Sequence, residues 1–392
     1  MRIVIAPDSF KGSLSALQVA NAIETGLLKV FQSASIVKIP IADGGEGTVD
    51  AMVAATNGIV RQCYVQGPLG DKTKSFWGIL GDGQTAIIEM AAASGLTLLP
   101  EDRRNPRISS SYGTGQLIIQ AMDHGCRKII VGLGGSATND GGSGMATALG
   151  VRFLDSSGNE LASGGAALSD LKHIDLSGID NRIKDTSILV ACDVDNPLFG
   201  PNGASEVYGP QKGASPEDII ELDNALRVFA KVSRTFTGKD VAEKPGAGAA
   251  GGMAAGLMYF TNAVLRPGIE IVIEATGMEE SVKNAELVIT GEGKTDAQTS
   301  FGKAPIGVGE LAKKYNKVAV CLSGSLGDGA EAILKHGIHA LFSITQGPIS
   351  LSECMSQAES LAERAAFRLA LALKAGMELS NGRATEEARG QF

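Results

Sequence analysis

The chain has 392 residues, which is too long for one ordinary hydrophobic core, so we expect two domains. Apolar residues make up 44% and charged residues 20%, close to globular averages, which argues against a disordered chain. The net charge of -8 without a basic cluster argues against a nucleic-acid-binding protein, and no apolar stretch approaches the roughly 18 residues of a membrane span.

Two features of the chain favour the reducing cytoplasm as its location. The N-terminal segment reaches Asp8 after a short apolar run, unlike the longer apolar region of a signal peptide. The five cysteines are odd in number, dispersed and outside the spacings of zinc ligands, so we expect neither a disulfide framework nor a zinc site. We also expect no membrane or nucleic-acid partner, whereas the sequence leaves a homo-oligomer open.

The N-terminal segment alternates strands and helices in the manner of a parallel sheet. Residues 2–6 form a short apolar run, and helical spacing of apolar residues follows up to about residue 30. Residues 35–41 predict a second strand, which leads into a glycine-rich loop and a helix ending near residue 56. This segment therefore predicts a β-loop-α-β-loop-α unit.

The middle of the chain has a different pattern. Short runs separated by glycine-rich turns predict antiparallel hairpins between residues 58 and 99. Further along, the pattern predicts strands at 128–131 and Ser187–Ala191. It also predicts helices near 113–124 and at 253–260, and a helix that ends near residue 149. We therefore predict a mixed α/β insertion over residues 59–286.

The parallel-sheet pattern returns towards the C-terminus. Residues 286–290, 317–322 and 339–345 are short apolar runs, and a long amphipathic helix is predicted near 356–375. Because both ends share this pattern, we expect them to form one sheet. The predicted fold class is α/β with two domains, namely a discontinuous domain of 1–58 plus 287–380 and the inserted domain, followed by a frayed polar tail at 381–392.

Glycine is over-represented, with 51 of 392 residues, about 13% against roughly 7% on average. No collagen-like period or low-complexity tract accounts for these residues, so they serve tight turns and close backbone approaches in many separate loops. The loops follow predicted strands, where ligands bind in open α/β sheets. We therefore regard them as the candidate functional loops, with the active site expected in the cleft between the two domains.

The first two glycine-rich loops carry charged side chains. Asp8, Ser9 and Lys11 follow the first strand and precede a helix N-terminus, which suits an anion. Asp43 and Glu46 stand among three glycines in the second loop. The alternative is that these residues only form turns and caps and that Lys11 is solvated.

The third loop has the strongest phosphate pattern. Gly134 and Gly135 let backbone N–H groups converge on an anion, and Ser136 and Thr138 add hydroxyl donors before a helix begins. The run Gly-Leu-Gly-Gly-Ser-Ala resembles the phosphate loop of the GHMP small-molecule kinases, but the other motifs of that family are missing, which favours convergence. Phosphate is therefore the predicted ligand of this loop.

Amide and acidic side chains near this loop are further candidates. Asn139 and Asp140 could hold Mg²⁺ or the acceptor substrate, or could bond locally as an Asx turn. Asp193 follows the predicted strand Ser187–Ala191, and Asn196 and Pro197 come shortly after it. Asp193 is therefore placed at a strand end, as a reacting carboxylate would be.

Two apparent nucleotide motifs fail their structural context. Gly248 and Gly251 belong to a GxGxxG pattern, but no buried strand precedes it, so we predict a ligand-contacting glycine loop and not a Rossmann turn. A Gly-Lys-Thr run at 293–295 lacks the earlier glycine of a P-loop, because Val288 stands at that position. No single known phosphate motif is therefore present.

The segment at 290–303 nevertheless combines the residue types that phosphoryl transfer uses. Glu292, Lys294 and Asp296 lie close together with several hydroxyl residues after a predicted strand. Lysines neutralise phosphate oxygens, and carboxylates bind Mg²⁺ or accept the proton of the substrate hydroxyl. We therefore favour function over a merely solvated loop.

Taken together, these motifs resemble the bacterial glycerate kinase family. The runs that carry the resemblance are Ala-Pro-Asp-Ser-Phe-Lys-Gly, Ala-Asp-Gly-Gly-Glu-Gly-Thr, Gly-Gly-Ser-Ala-Thr-Asn-Asp-Gly-Gly, Cys-Asp-Val-Asp-Asn-Pro-Leu, Gly-Ala-Gly-Ala-Ala-Gly-Gly and Thr-Gly-Glu-Gly-Lys-Thr-Asp. The resemblance covers nearly the whole chain. It implies a two-domain enzyme, with one flavodoxin-like sheet flanked by helices on both faces, that phosphorylates D-glycerate with MgATP, usually at the 2-hydroxyl.

Chemistry assigns a predicted role to each candidate residue. We predict catalytic roles for Asp193 as the first choice of base, Asp296 as the second, and Lys11. Substrate contacts are predicted from Asp8, Ser9, Lys11, Asp43, Asn139 and Lys294, and ATP contacts from Gly134, Gly135, Ser136, Thr138, Gly248 and Gly251. The predicted Mg²⁺ ligands are Asp43, Glu46, Asp140 and Glu292.

The sequence leaves alternatives to this function. Phosphorylation at the 3-hydroxyl would use the same residue types. A regulator that binds the hydroxy acid or the nucleotide without turnover would be expected to carry a DNA-binding or signalling module, and none is visible. A phosphatase or lyase could use the same anion loops, and would differ in whether ADP is released only when glycerate is added.

Overall fold

A computed structural model describes residues 1–42, 44–300 and 304–389, apart from the side chains of residue 300 and of residues 380–389. The chain divides into two compact units, which are Met1–Ala42 together with Val272–Phe392, and Asp43–Ile271. From the sequence we predicted domain boundaries after residues 58 and 286. These boundaries stay predictions.

The first unit contains a five-stranded parallel sheet. Its strands lie in the order Ala340–Ser343, Val318–Ser323, Leu287–Gly291, Arg2–Pro7 and Ser35–Lys38. Its helices are Ala16–Leu28, Met278–Lys283, Ala304–Lys314, Leu351–Ser356 and Ala358–Arg389, with 3₁₀ turns at Ala297–Ser300 and Ala330–His336 and a small strand pair, Lys294–Thr295 and Ser325–Leu326. The last helix includes part of the segment that was predicted as a frayed tail.

Helices cover both faces of this sheet. Ile3 and Ile5 belong to one apolar cluster with residues of Ala16–Leu28 and of the long C-terminal helix. Val4 is buried outside that cluster, because successive side chains of a strand point to opposite faces. The helix Ala304–Lys314 packs on this second face. The predicted α/β class, with a parallel sheet between helices, is confirmed.

The second unit contains a six-stranded mixed sheet. Its strands lie in the order Val264–Arg266, Ser187–Ala191, Lys128–Gly132, Thr85–Glu89, Lys72–Ile79 and Ile59–Gln66. The first four are parallel and the last two add antiparallel pairs, as the predicted hairpins require. A separate antiparallel pair joins Arg152–Leu154 to His173–Asp175.

Helices and 3₁₀ turns complete the second unit. The helices are Thr48–Thr56, Ala91–Ser94, Tyr112–Asp123, Ser143–Ala148, Ala204–Tyr208, Pro216–Thr237, Ala249–Phe260 and Gly268–Thr276. The unit ends within the last of these helices. The 3₁₀ turns are Leu96–Leu98, Glu101–Arg103, Ala166–Asp170, Asn181–Asp185 and Pro210–Lys212. Within the described ranges, no helix has both the length and the apolar character needed to cross a membrane.

The helix Pro216–Thr237 was not predicted, although its start and end signals are in the sequence. Ser215 caps its N-terminus in a capping box with Asp218, proline stands at the first turn, and Gly238 follows its end in the left-handed conformation. Leu226 and Phe229 are buried in the core of the unit. This helix, with Ala249–Phe260, covers the glycine-rich loop over residues 132–144.

Candidate active site

In the first unit, the loops after two neighbouring strands lie side by side. Pro7 and Gly291 are register partners at the carboxyl ends of their strands, and the Asp8 N–H donates to the Gly291 carbonyl at 2.8 Å. The Asp8 side chain is buried and accepts from the Ser9 N–H at 2.6 Å, whereas Lys11 is exposed. The sheet therefore brings the first predicted loop next to the predicted segment at 290–303, of which residues 301–303 lie outside the described residues.

Glu292 is the centre of a buried hydroxyl network in this segment. Its Oε1 accepts from the Thr295 hydroxyl at 3.1 Å and from the Thr299 hydroxyl at 2.7 Å. Ser323, at the end of the next strand, lies 2.7 Å from Thr295 Oγ1. These contacts fix the orientation of Glu292, which is 7% exposed. Its predicted Mg²⁺ role stays a proposal.

Lys294 and Asp296 form an ion pair at the edge of the same segment. Lys294 Nζ lies 3.1 Å from Asp296 Oδ2, and the Lys294 side chain is 62% exposed. Asp296 Oδ1 accepts from the Gln298 N–H at 3.0 Å. An anion in solution can therefore reach Lys294. Asp296 is already paired with a cation, namely Lys294.

In the second unit, the second and third predicted loops touch through their backbones. The Gly134 N–H donates to the Gly44 carbonyl at 3.1 Å. A Cβ atom on Gly134 would lie 2.6 Å from the Gly45 Cα, so a larger residue would force the two loops apart. Glu46 is exposed in the same loop, and Asp43 lies outside the described residues.

The loop that contains Gly246–Gly251 connects the third loop to the segment after Ser187–Ala191. The Gly141 N–H donates to the Gly251 carbonyl at 3.0 Å, and the Gly248 N–H donates to the Asn196 carbonyl at 2.9 Å. Asp193 in that segment is exposed, and its Oδ1 accepts from the Gly268 N–H at 2.9 Å. Gly268 begins a helix, whose N-terminal N–H groups favour a carboxylate there. Four predicted motifs are therefore joined within one unit.

Asp140 anchors the third loop from inside. Its carboxylate is fully buried and accepts from the Ser111 N–H and hydroxyl and from the Gly142 and Gly144 N–H groups, at 2.8 to 3.2 Å. Burial raises the pKa of Asp140 above its ordinary value, and these hydrogen bonds oppose the rise. Because its lone pairs face protein donors, the carboxylate is poorly suited to the Mg²⁺ role that we predicted for it.

Lys212 is a buried site residue that was not predicted from the sequence. Its Nζ donates to Ser136 Oγ at 2.9 Å and to the Thr138 carbonyl at 2.7 Å, and the residue is 1% exposed. Burial lowers the pKa of Lys212 to about 7, while the charge of Asp140 opposes this change. In the sequence, a lysine at the end of the short turn Pro210–Lys212 resembles a solvated surface residue, and only the structure shows its burial.

Two polar atoms in the same loop have no partner among the described residues. Asn139 Nδ2 donates to Ser205 Oγ at 2.9 Å, but Asn139 Oδ1 and Thr138 Oγ1 are buried and make no hydrogen bond to any described residue. Such atoms usually face an ordered water or a ligand group. Asn139 and Thr138, both predicted for ligand contact, therefore keep binding capacity.

Glu89 is a second buried ionisable residue that sequence analysis did not identify. It ends the strand Thr85–Glu89 next to Gly132 and accepts from the Val49 N–H at 2.7 Å, at the start of the helix Thr48–Thr56. Burial raises the pKa of Glu89 to about 7, against the hydrogen bonds from Val49 and Gly47. Glu89 therefore holds the end of the second loop against the sheet.

Replacing Glu89 with glutamine should remove a pH dependence of stability. Because the pKa of Glu89 is about 7 when folded and 4.5 ordinarily, the folded state binds more protons between these values. The stabilisation is complete below the lower value and is lost as pH rises through the higher one. We expect the free energy of unfolding, relative to Glu89→Gln, to fall by about 2 kcal/mol from pH 5.5 to pH 8. Urea unfolding of both proteins measures this, and a pH-independent difference would contradict it.

The described residues contain no cluster of three or more histidine, cysteine, aspartate or glutamate side chains that could hold a metal. Mg²⁺ in kinases needs as few as one or two carboxylates, because phosphates and water supply the other ligands. Glu46 and Glu292 fit this limited requirement better than Asp140 does. A role for either remains a proposal.

The fold is α/β, with glycine-rich loops at the ends of parallel strands, where ligands bind in folds of this class. A sequence model of the glycerate kinase family matches residues 3–374. Glycerate 2-kinase of Escherichia coli strain K12 is 53% identical over 377 residues, which are 96% of this chain and 99% of that protein. Glycerate kinase of Bacillus subtilis strain 168 is 50% identical over 374 residues, 95% of this chain and 98% of that one.

A solved structure agrees with these relatives. The crystal structure from Salmonella typhimurium LT2, assigned provisionally as glycerate kinase 2, matches with a TM-score of 0.89 and 49% identity, covering 96% of this chain and 99% of that chain. The chain therefore belongs to the glycerate kinase family, and the prediction of a kinase of this family, made from its motifs, is confirmed.

Proposed function

We propose that this chain transfers the terminal phosphoryl group of ATP to the 2-hydroxyl of D-glycerate, giving 2-phosphoglycerate and ADP. The observation that carries the proposal is the relationship over nearly the full length to a protein named glycerate 2-kinase. The loops support it, because glycine-rich turns, a lysine and carboxylates are the residue types that phosphoryl transfer requires. A cytoplasmic location and a homo-oligomer remain predictions from the sequence.

In this proposal, the third loop receives the ATP phosphates. The backbone N–H group of Gly135 and the hydroxyls of Ser136 and Thr138 are donors that suit phosphate oxygens. The Gly134 N–H donates to the Gly44 carbonyl, so Gly134 would contribute by letting the backbone of the loop approach the phosphate closely. Gly248 and Gly251 act on ATP through the loop that they hold in place. Mg²⁺, bound by Glu46 or Glu292 together with phosphate oxygens, would neutralise charge on the transferred group.

Asp193 accepts the proton of the glycerate hydroxyl. Its carboxylate is exposed, is oriented by the Gly268 N–H, and lies in a segment that the glycine loop joins to the third loop. Asp296, which is paired with Lys294, is the second candidate. Lys11, Lys294 and the Asp8–Ser9 turn supply charge and hydrogen bonds for the glycerate carboxylate, and Asn139 has an unpartnered oxygen for a substrate hydroxyl.

A coupled ADP-release assay over matched acceptors tests this function. We expect turnover with D-glycerate, and none with glycerol, which lacks the carboxylate. Tartronate and lactate keep a 2-hydroxyl but lack the 3-hydroxyl, so turnover with either would support transfer to the 2-position. Product that enolase converts directly is 2-phosphoglycerate, whereas product that needs added phosphoglycerate mutase is the 3-isomer. ATP binding without ADP release would instead favour a regulator.

A further inference from the structure

A serine hydroxyl in the third loop is held as a donor, and no described residue accepts its hydrogen. Ser136 Oγ accepts a hydrogen bond from Lys212 Nζ at 2.9 Å, so the hydrogen of the hydroxyl must point away from the lysine. No atom among the described residues accepts that hydrogen, although Ser136 is only 6% exposed. A buried hydroxyl normally has such an acceptor, and a bound ligand could supply it.

Lys212 itself is buried and is directed at the loop. It is 1% exposed, and two of its three N–H donors go to Ser136 Oγ and to the Thr138 carbonyl. Because both of its acceptors belong to the loop, the lysine fixes two positions of the turn together. A donor to a hydroxyl oxygen also polarises its O–H bond, which strengthens the hydrogen bond that the hydroxyl gives.

We propose that Lys212 is a positioning residue that turns Ser136 into a fixed hydrogen-bond donor to a phosphate oxygen of the nucleotide. This inference rests on the proposed function, because it takes the third loop as the nucleotide phosphate site. Lys212 acts through Ser136 and not by contact with ATP.

A double-mutant cycle with Ser136→Ala and Lys212→Met tests the coupling. Calorimetric titration with ATP should show about tenfold to hundredfold weaker binding for Ser136→Ala, the effect of one hydrogen bond to a charged group. Lys212→Met should weaken ATP binding in the same direction, and the double variant should be no weaker than the weaker single variant. The KM for glycerate should stay near that of the wild type, and Ser136→Thr, which keeps a hydroxyl, should recover most of the affinity.

Lys239→Met is the matched control. Lys239 Nζ, like Lys212 Nζ, donates to two acceptors in this unit, here the backbone carbonyls of Met258 and Thr261, which lie outside the third loop. We expect this variant to lose stability without a change in ATP affinity. Should Lys212→Met not fold, Lys212→Gln, which can still donate to Ser136, takes its place in the cycle and should retain part of the affinity.

The outcomes separate this inference from the function. Wild-type protein that binds ATP without phosphorylating glycerate contradicts the function and leaves the cycle measurable. If Ser136→Ala binds ATP with wild-type affinity, the inference is wrong, even though turnover of glycerate continues and the proposed function stands. If the losses of ATP affinity in the two single variants multiply in the double variant, Lys212 does not act through Ser136.

Discussion

Replacing Asp193 with asparagine should lower kcat by about 10²- to 10⁴-fold, the usual contribution of a general base. Asparagine keeps the shape of the side chain and can still accept from the Gly268 N–H through its amide oxygen, so the local fold should persist. The KM values for ATP and glycerate should change by about twofold at most, because the carboxylate acts in the transition state. Steady-state kinetics with varied ATP and varied glycerate measures both quantities.

Asp195→Asn is the control for this prediction, because Asp195 is exposed two residues further along the same segment and has no assigned role. It should retain nearly full turnover. Near-normal kcat in Asp193→Asn, together with intact binding of both substrates, would make the assignment of the base wrong. Loss of turnover in Asp296→Asn alone would move the role to Asp296.

Replacing Gly251 with alanine should lower the free energy of unfolding by about 3 kcal/mol and kcat/KM for ATP by about 10²-fold. Gly251 has a φ of +68°, and an added Cβ would lie 2.0 Å from the Thr138 carbonyl oxygen. The neighbouring Ala250 adopts a φ of 56°, so the backbone conformation alone is tolerated by alanine here. The expected loss therefore comes from pushing the third loop away, and urea unfolding with ATP-dependent kinetics measures it.

Gly238→Ala separates the two causes. Gly238 has a φ of +70° at the end of the helix Pro216–Thr237, and nothing lies within 4 Å of an added Cβ. This variant should cost only about 1 kcal/mol, the effect of the left-handed backbone, with unchanged kinetics. Equal losses in the two glycine variants would show that the contact with Thr138 has no effect.

The sheets could be predicted because their signals are local. Apolar runs such as 2–6 and 286–290 became neighbouring parallel strands, and the glycine-separated runs after residue 58 became antiparallel strands. The helix Pro216–Thr237 was overlooked despite a serine cap and a proline at its first turn. The limits of the two compact units are harder to predict from sequence, because compactness depends on contacts between distant residues and not on local periodicity.

The candidate site was predictable where several residue types occur together in one loop. The glycine-rich loops do meet within their units, as strand ends in a parallel sheet should. Lys212 and Glu89 escaped prediction, because an isolated lysine or glutamate is solvated in most proteins and nothing in the sequence reports its burial. Asp140 was predicted as a Mg²⁺ ligand, and its contact with Ser111 could not be predicted because Ser111 is 29 residues away in the sequence.

The loops of the second unit are joined by main-chain hydrogen bonds, from Gly134 to Gly44, from Gly141 to Gly251 and from Gly248 to Asn196. Their spacing is therefore largely independent of which side chains they carry. Acceptor preference could then be redesigned by exchanging side chains such as Asn139 while the glycines are retained. Libraries that randomise the exposed polar positions, while keeping Asp140 and Lys212, should yield many folded variants, whereas libraries that randomise the glycines should yield few.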